Sequence, residues 1–178
     1  SLRGFVRLLN PPYNHRTWPA RTAQTRFPAG VVPDPMSRID DCTLTELSSR
    51  SDERGSLTFI EGGRHIPFAI RRVYYVYGVP VGAGRGGHAH RRLEQLMVAI
   101  AGSFRVLLDD GSARREITLA RPDQGLYICP MVWRELAGFS PGAVCMVLAS
   151  EPYDEADYYR DYADFLRSVR AGDDGPVS

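Results

Sequence analysis

Residues 84–102 read GRGGHAHRRLEQLMVAIAG: a glycine-rich turn passes into two histidines one residue apart, then into an apolar run. In an extended chain alternate residues share a face, so His88 and His90 point to the same side. Only imidazole has an unperturbed pKa near neutrality. Two imidazoles aimed into one cavity therefore suit proton transfer or metal binding, and a His-X-His in a surface turn with no chemical task is the bland alternative. The following LEQLMVAI reads as a strand closed by Gly102-Ser103.

The chain on either side of this stretch repeats the strand pattern. Downstream, Phe104, Val106 and Leu108 alternate up to Asp110-Gly111, a strong hairpin signal, and REITL returns with Ile117 and Leu119 in phase. LYIC, VWRELAGF and the continuous run AVCMVLAS follow, separated by Pro130 and by Ser140-Pro141-Gly142. Upstream, LTFIE is the first clear strand, and residues 68–76 read as one long strand with Arg72 and Tyr74 on the same side. Eight short strand candidates with turn signals between them argue for an antiparallel sandwich or barrel. The segment GAGRGG lacks a surrounding βαβ pattern and is no dinucleotide fingerprint.

The period changes near the C-terminus. Tyr158, Tyr162, Phe165, Leu166 and Val169 fall at i, i+4, i+7, i+8 and i+11, one apolar stripe of a terminal helix for which Asp154 is the candidate cap. Core packing is the expected role of those tyrosines. Residues 1–36 hold six of the 13 prolines and five arginines, and read as an irregular N-terminal extension. The folded domain is expected over 37–172, with 173–178 as a tail.

Composition narrows the function. At 178 residues and a net charge of +1, one domain is expected, without general attraction to nucleic acid or anionic membrane. All 22 basic residues are Arg. The absence of Lys excludes a Schiff-base mechanism and a P-loop lysine, so an anionic ligand must meet Arg, His or backbone amides. Cys42, Cys129 and Cys145 lack C-x-x-C spacing and read as reduced thiols. No apolar run approaches a membrane span, and a soluble cytoplasmic protein is the default expectation.

Gly82 to Gly102 follows G-x5-H-x-H-x4-Q-x6-G and resembles the first motif of the cupin superfamily, with Gln95 at the usual glutamate position and Glu94 one residue out of phase. The second cupin motif normally adds a histidine, but PDQGLYICPMVWRE has Trp133 and none. A catalytic metal site needs three or more protein ligands, and the other imidazoles, His15 and His65, fall in the N-terminal extension and in a turn. Metal-free acid/base chemistry is preferred, with no cofactor, and Arg72, Arg85 and Tyr74 are candidates to stabilise an oxyanion.

A closer resemblance runs over about residues 39–170. ERGSLTFIE, IPFAIRRVYY, RGGHAHRRLEQ, AGSFRVLLDDG, GLYICPMVWRE and AVCMVLASEPYDEADYYRDYADF are similar to the sugar 3,4-ketoisomerases, cupins that act on dTDP-4-keto-6-deoxyglucose. The resemblance implies a cupin (jelly-roll, double-stranded β-helix) barrel with a C-terminal helix, no metal, and a homodimer that exchanges strands. It places His88, His90 and Tyr74 in the active site. His88 is the expected base, with His90 and Tyr74 moving protons on the sugar oxygens. Arg72 and Arg85 are candidates for the enediolate or the diphosphate, and Arg54 and Arg134 for the rim. A cupin-fold nucleotide-sugar epimerase and a non-catalytic nucleotide-sugar-binding cupin are the alternatives.

Overall fold

In the computed structural model, which describes residues 39–172, alternation of side chains builds almost every element. The strands are β1 (Leu44–Glu46), β2 (Ser48–Asp52), β3 (Gly55–Phe59), β4 (Arg72–Tyr77), β5 (Arg85–His90), β6 (Gln95–Ala101), β7 (Phe104–Asp109), β8 (Arg114–Leu119), β9 (Gln124–Ile128), β10 (Trp133–Ala137), β11 (Val144–Ala149) and β12 (Tyr158–Tyr159). One helix, α1 (Tyr162–Ala171), follows. β7 shows the logic: Phe104, Val106 and Leu108 are buried while Arg105 and Leu107 face out. The Asp110 carboxylate then accepts the amides of Ser112 and Ala113, which closes the turn into β8.

Two antiparallel five-stranded sheets result, in the orders β1-β9-β6-β11-β4 and β12-β5-β10-β7-β8, and β2-β3 forms a separate hairpin. Their inner faces meet in one core containing Met97, Phe104, Val106, Leu108, Leu119, Leu126, Ile128, Leu136, Cys145 and Val147. Burial of such side chains stabilises by about 1.5–3 kcal/mol each before entropy is counted. This is the all-β cupin architecture that the sequence implied.

Two expected elements are reshaped by packing. The long strand over 68–76 begins only at Arg72, because Ile66 and Phe68 fold onto the outer face of the first sheet, against Leu96, Val98 and Leu148. A sheet with an apolar outer face needs a cover, and this segment supplies part of it. At the C-terminus the helix is shorter than its stripe suggested. Asp161, rather than Asp154, caps α1 by accepting the Asp164 amide, and Gly172 ends it with φ +64°. Asp154 caps only a 3₁₀ turn, Glu155–Asp157, and Tyr158 and Tyr159 extend as β12 along β5. The barrel edge offers β12 a ladder of backbone partners, which outweighs the weak helical preference of a Tyr-Tyr pair.

Cys42, Cys129 and Cys145 are buried and form no disulfide. The expected N-terminal extension, with His15, and the tail 173–178 lie outside the described residues. Among the described residues no helix is long and apolar enough to cross a membrane.

Candidate active site

His88 and His90 share the inner face of β5, with ring centroids 5.0 Å apart. Gly86 and Gly87 set this phase. In the register between β5 and β10, His88 pairs with Arg134 and Gly86 with Glu135, so Gly87 is an extra, bulged residue. Both glycines have positive φ, +86° and +70°, and a side chain on Gly86 would come within 2.8 Å of the Arg134 carbonyl oxygen. A β-bulge of this kind re-aims the residues after it. Ala89, between the histidines, faces the opposite way and is buried with Trp133, Tyr159 and Phe165 under α1.

Arg134 stands directly opposite His88 and is completely buried. It is not a rim residue. Alternation along β10 turns Trp133 outward, 5.2 Å from the Tyr162 ring, and Arg134 inward. On the facing sheet Tyr74 also points inward, and its hydroxyl accepts a hydrogen bond from Gln95 Nε2 at 2.9 Å. Ala149 lies in register with both Arg72 and Gln95, and its small side chain leaves room for that contact. The Arg72 guanidinium stands 5.4 Å from the Tyr74 ring and 5.6 Å from the Tyr153 ring.

These residues gather the unmet hydrogen-bonding capacity of the molecule. Of eight buried side-chain nitrogens and oxygens without a partner among the described residues, seven belong to Arg72, His90, Gln95 and Arg134. A buried guanidinium with three idle nitrogens is costly in a folded protein, as is any buried polar atom left unpaired. Concentrated in one place, such atoms describe a polar ligand: Arg72 and Arg134 offer donors, and His90 Nε2 and Gln95 Oε1 offer acceptors. A sugar carrying keto and hydroxyl oxygens matches both kinds.

The electrostatics favour neutral imidazoles. Burial pushes His88 down to about 3, and the positive charge of Arg134 and the neighbouring His90 push the same way. Burial also lowers His90, to about 4, against the opposing pull of its hydrogen bond to Asp157. The Tyr74 phenol is pushed up to about 12 by burial, so it keeps its proton at neutral pH. Both histidines can therefore accept a proton, and the phenol can donate one.

Other expected residues fall outside this cluster. Arg85, at the start of β5, is exposed. Arg54 sits in the β2–β3 turn, where its guanidinium pairs with Asp52 at 2.6 Å. Conversely, Tyr158 and Asp157 join the site although they read as helix. The Tyr158 ring lies 5.1 Å from His88 and 4.2 Å from His90, and the Arg160 guanidinium covers it at 4.2 Å. The acidic run before the Tyr pair imitates a helix start, so no local signal set Asp157 apart. Two surface clefts, of about 460 and 570 Å³, do not include either histidine; the first contains Tyr158 and so abuts the pair from the helix side. The convergence of partnerless polar atoms, not cleft volume, marks the candidate site. Among the described residues no three His, Cys, Asp or Glu side chains come together to hold a metal ion.

Comparison with known proteins agrees with this architecture. Residues 40–170 match the family described as FdtA: WxcM-like, C-terminal. The TDP-4-oxo-6-deoxy-alpha-D-glucose-3,4-oxoisomerase of Aneurinibacillus thermoaerophilus is 51% identical over 118 residues, which are 66% of this chain and 85% of that protein. A sugar 3,4-ketoisomerase from Thermoanaerobacterium thermosaccharolyticum, solved in complex with TDP, is 40% identical with a TM-score of 0.73, covering 75% of this chain and 98% of its own. A 3,4-ketoisomerase from Helicobacter canadensis is 43% identical with a TM-score of 0.71, covering 73% and 98%. With a match across the whole described barrel, the chain belongs to the FdtA (WxcM-like, C-terminal) family.

Proposed function

We propose that the protein is a metal-independent 3,4-ketoisomerase that converts dTDP-4-keto-6-deoxyglucose to a dTDP-3-keto-6-deoxyhexose in deoxysugar biosynthesis, as a cytoplasmic enzyme. The observation that carries this reading is the cluster of partnerless donors and acceptors on Arg72, His90, Gln95 and Arg134, beside two neutral imidazoles and a protonated phenol. It complements the oxygens and the C–H acid of a keto sugar, and it stands in a family whose relatives carry 3,4-ketoisomerase names.

The reaction moves a carbonyl by one carbon. His88 takes the proton from C3, which is acidified by the C4 ketone. The released electron pair forms the C3–C4 double bond, and the negative charge develops on O4. Arg134, opposite His88, and Arg72 stabilise that charge with fixed donors in a site shielded from water. The same charge raises the basicity of the nearby imidazoles, which allows a histidine with a depressed resting pKa to act as base. Loss of the O3 proton and delivery of a proton to C4 complete the exchange, with His90 and Tyr74 carrying protons between the oxygens. No metal step is needed, and EDTA treatment is expected to leave turnover unchanged.

NMR of the product formed from dTDP-4-keto-6-deoxyglucose tests the reading. A 3-keto sugar supports it. A 4-keto sugar inverted at a ring carbon identifies an epimerase instead, and unchanged substrate with measurable binding identifies a binding protein. Activity lost to EDTA and restored by a divalent metal would overturn the metal-free mechanism.

The proposal extends to a homodimer with exchanged strands. β4 pairs only with β11, so its second edge is open among the described residues. On its outer face Val73, Tyr75 and Tyr77 are 46%, 55% and 72% exposed. An open edge beside an exposed apolar face is a site for pairing with a second chain. Light scattering on the eluting protein is expected to give twice the chain mass; a monomer at micromolar concentration refutes this part.

A further inference from the structure

Asp157 is used by no step above, yet it is 5% exposed and makes four hydrogen bonds around the end of β5, with the Arg92 guanidinium 3.8 Å from its Oδ1. Its Oδ2 lies 3.0 Å from His90 Nδ1 and also accepts the Leu93 amide at 3.3 Å; its Oδ1 accepts the Arg92 amide at 2.9 Å, and its backbone oxygen accepts the Arg91 amide at 2.9 Å. The 3₁₀ turn at Glu155–Asp157 and strand β12, which pairs Tyr158 with His90, deliver the carboxylate to this position.

The hydrogen bonds decide a protonation state. Burial alone would raise the Asp157 pKa, but the His90 contact and the amides of Arg92 and Leu93 bring it below the usual carboxylate value, so at neutral pH the carboxylate is ionised and has no proton to give. The proton in the Asp157–His90 contact therefore sits on Nδ1, which leaves the Nε2 lone pair free. Nε2 is the one His90 nitrogen that is buried without a partner. The ring cannot escape by flipping, because it is enclosed by His88 and Tyr158, with centroids at 5.0 and 4.2 Å. Among the described residues no carboxylate is hydrogen-bonded to the His88 ring as Asp157 is to His90.

We propose that Asp157 is a positioning residue that holds His90 in the Nδ1–H tautomer, so that Nε2 is the basic atom facing the sugar and the imidazolium formed when it takes a proton is stabilised by the buried carboxylate. This rests on the ketoisomerase reading of the site and deepens it by separating the two histidines. His90, charge-balanced by Asp157, is the proton carrier that returns to neutrality through the sugar oxygens. His88, with no hydrogen-bonded carboxylate among the described residues, exchanges its proton with carbon. The arrangement follows the physical logic of a carboxylate–imidazole pair in which the acid orients the ring without itself taking the proton.

Asp157→Asn tests it. The Asn oxygen in the Oδ1 place keeps the shorter bond, that from the Arg92 amide, while its NH₂ in the Oδ2 place gives up the longer Leu93 bond and points at Nδ1, which must accept and so moves the ring proton to Nε2. The expected result is a loss of kcat between about 10²- and 10⁴-fold with KM within about threefold. In ¹⁵N NMR of histidine-labelled protein at pH 7, His90 is expected to be the Nδ1–H tautomer in the wild type and the Nε2–H tautomer in the variant. An Nε2–H tautomer in the wild type overturns the proposal whether or not the variant folds, as does a variant with unchanged kcat. A wild-type enzyme that makes no 3-keto sugar would overturn the reaction assignment instead, and the tautomer measurement would still stand.

Discussion

His88→Asn is expected to lower kcat by about 10²- to 10⁴-fold while leaving dTDP affinity within a few-fold. His88 projects from the inner face of β5 and stands in register with the buried Arg134, the place the proposed mechanism gives to the sugar ring rather than the nucleotide. Asparagine keeps a polar group of similar reach but cannot accept a proton near neutrality. Steady-state turnover and calorimetric titration with dTDP separate the two quantities, and near-normal turnover would remove His88 from the chemistry. The same variant carries a stability signature. The folded-state pKa of His88 is depressed by burial to about 3 against 6.5 for the free group. Between those values the unfolded chain binds a proton that the folded chain refuses, so stability is complete above about pH 6.5 and falls as pH drops. The slope is at most about 1.4 kcal/mol per pH unit for one histidine. Removing His88 is expected to flatten the fall of Tm between pH 6.5 and 5; an unchanged slope would mean that the imidazole titrates normally in the folded protein.

Arg134→Met is expected to raise stability and destroy activity together. The guanidinium is fully buried, and among the described residues none of its three nitrogens has a hydrogen-bond partner; burial pulls its pKa below the ordinary value even though Tyr74, Cys42, Cys129 and Asp157 oppose this. Replacing a buried charge by an apolar side chain of similar length removes the desolvation cost. Comparable replacements of buried ionic groups stabilise by about 1–4 kcal/mol. Turnover is expected to fall by about 10²- to 10³-fold, the usual cost of losing one donor to a developing oxyanion. Thermal melting and initial rates on the same preparation test both halves. A variant that melts lower than the wild type would mean that Arg134 supports the fold, and a variant that turns over normally would remove it from the site. Proteins retain strained, unfavourable groups where function requires them, and among the described residues Arg134, with three buried partnerless nitrogens, is the strongest such case.

The parts of the site legible in sequence are those set by strand periodicity. His88 and His90 share a face because they are two residues apart, as do Arg72 and Tyr74, and Gln95 rather than Glu94 turns inward for the same reason. Glu94 faces the outer side, where it accepts the Tyr127 hydroxyl at 2.5 Å. Arg134 was placed near the site but at the wrong depth. Trp133 stands where the second cupin motif would carry a histidine, yet alternation along β10 turns it outward and sends its neighbour Arg134 inside. Tyr158 and Asp157 read as helix because YDEADYYRDYADF satisfies the helical period and the charge pattern of a helix start, while in the fold the open edge of β5 competes for the same residues.

By itself the sequence determined the class of fold, eight of the strands (β3, β4 and β6 to β11), the inward faces of β4, β5 and β6, and a set of side chains without lysine. These depend on covalent spacing and residue type, which tertiary contacts do not alter. Only the tertiary structure decided that Arg134 lies opposite His88, that Asp157 meets His90 from 67 residues away, and that Arg54 and Arg85 stay outside the cluster. Those facts depend on which strands become neighbours and how deeply each is buried. Such pairings between distant segments are fixed by the packing of both sheets around one core, a property of the whole barrel that no local window contains.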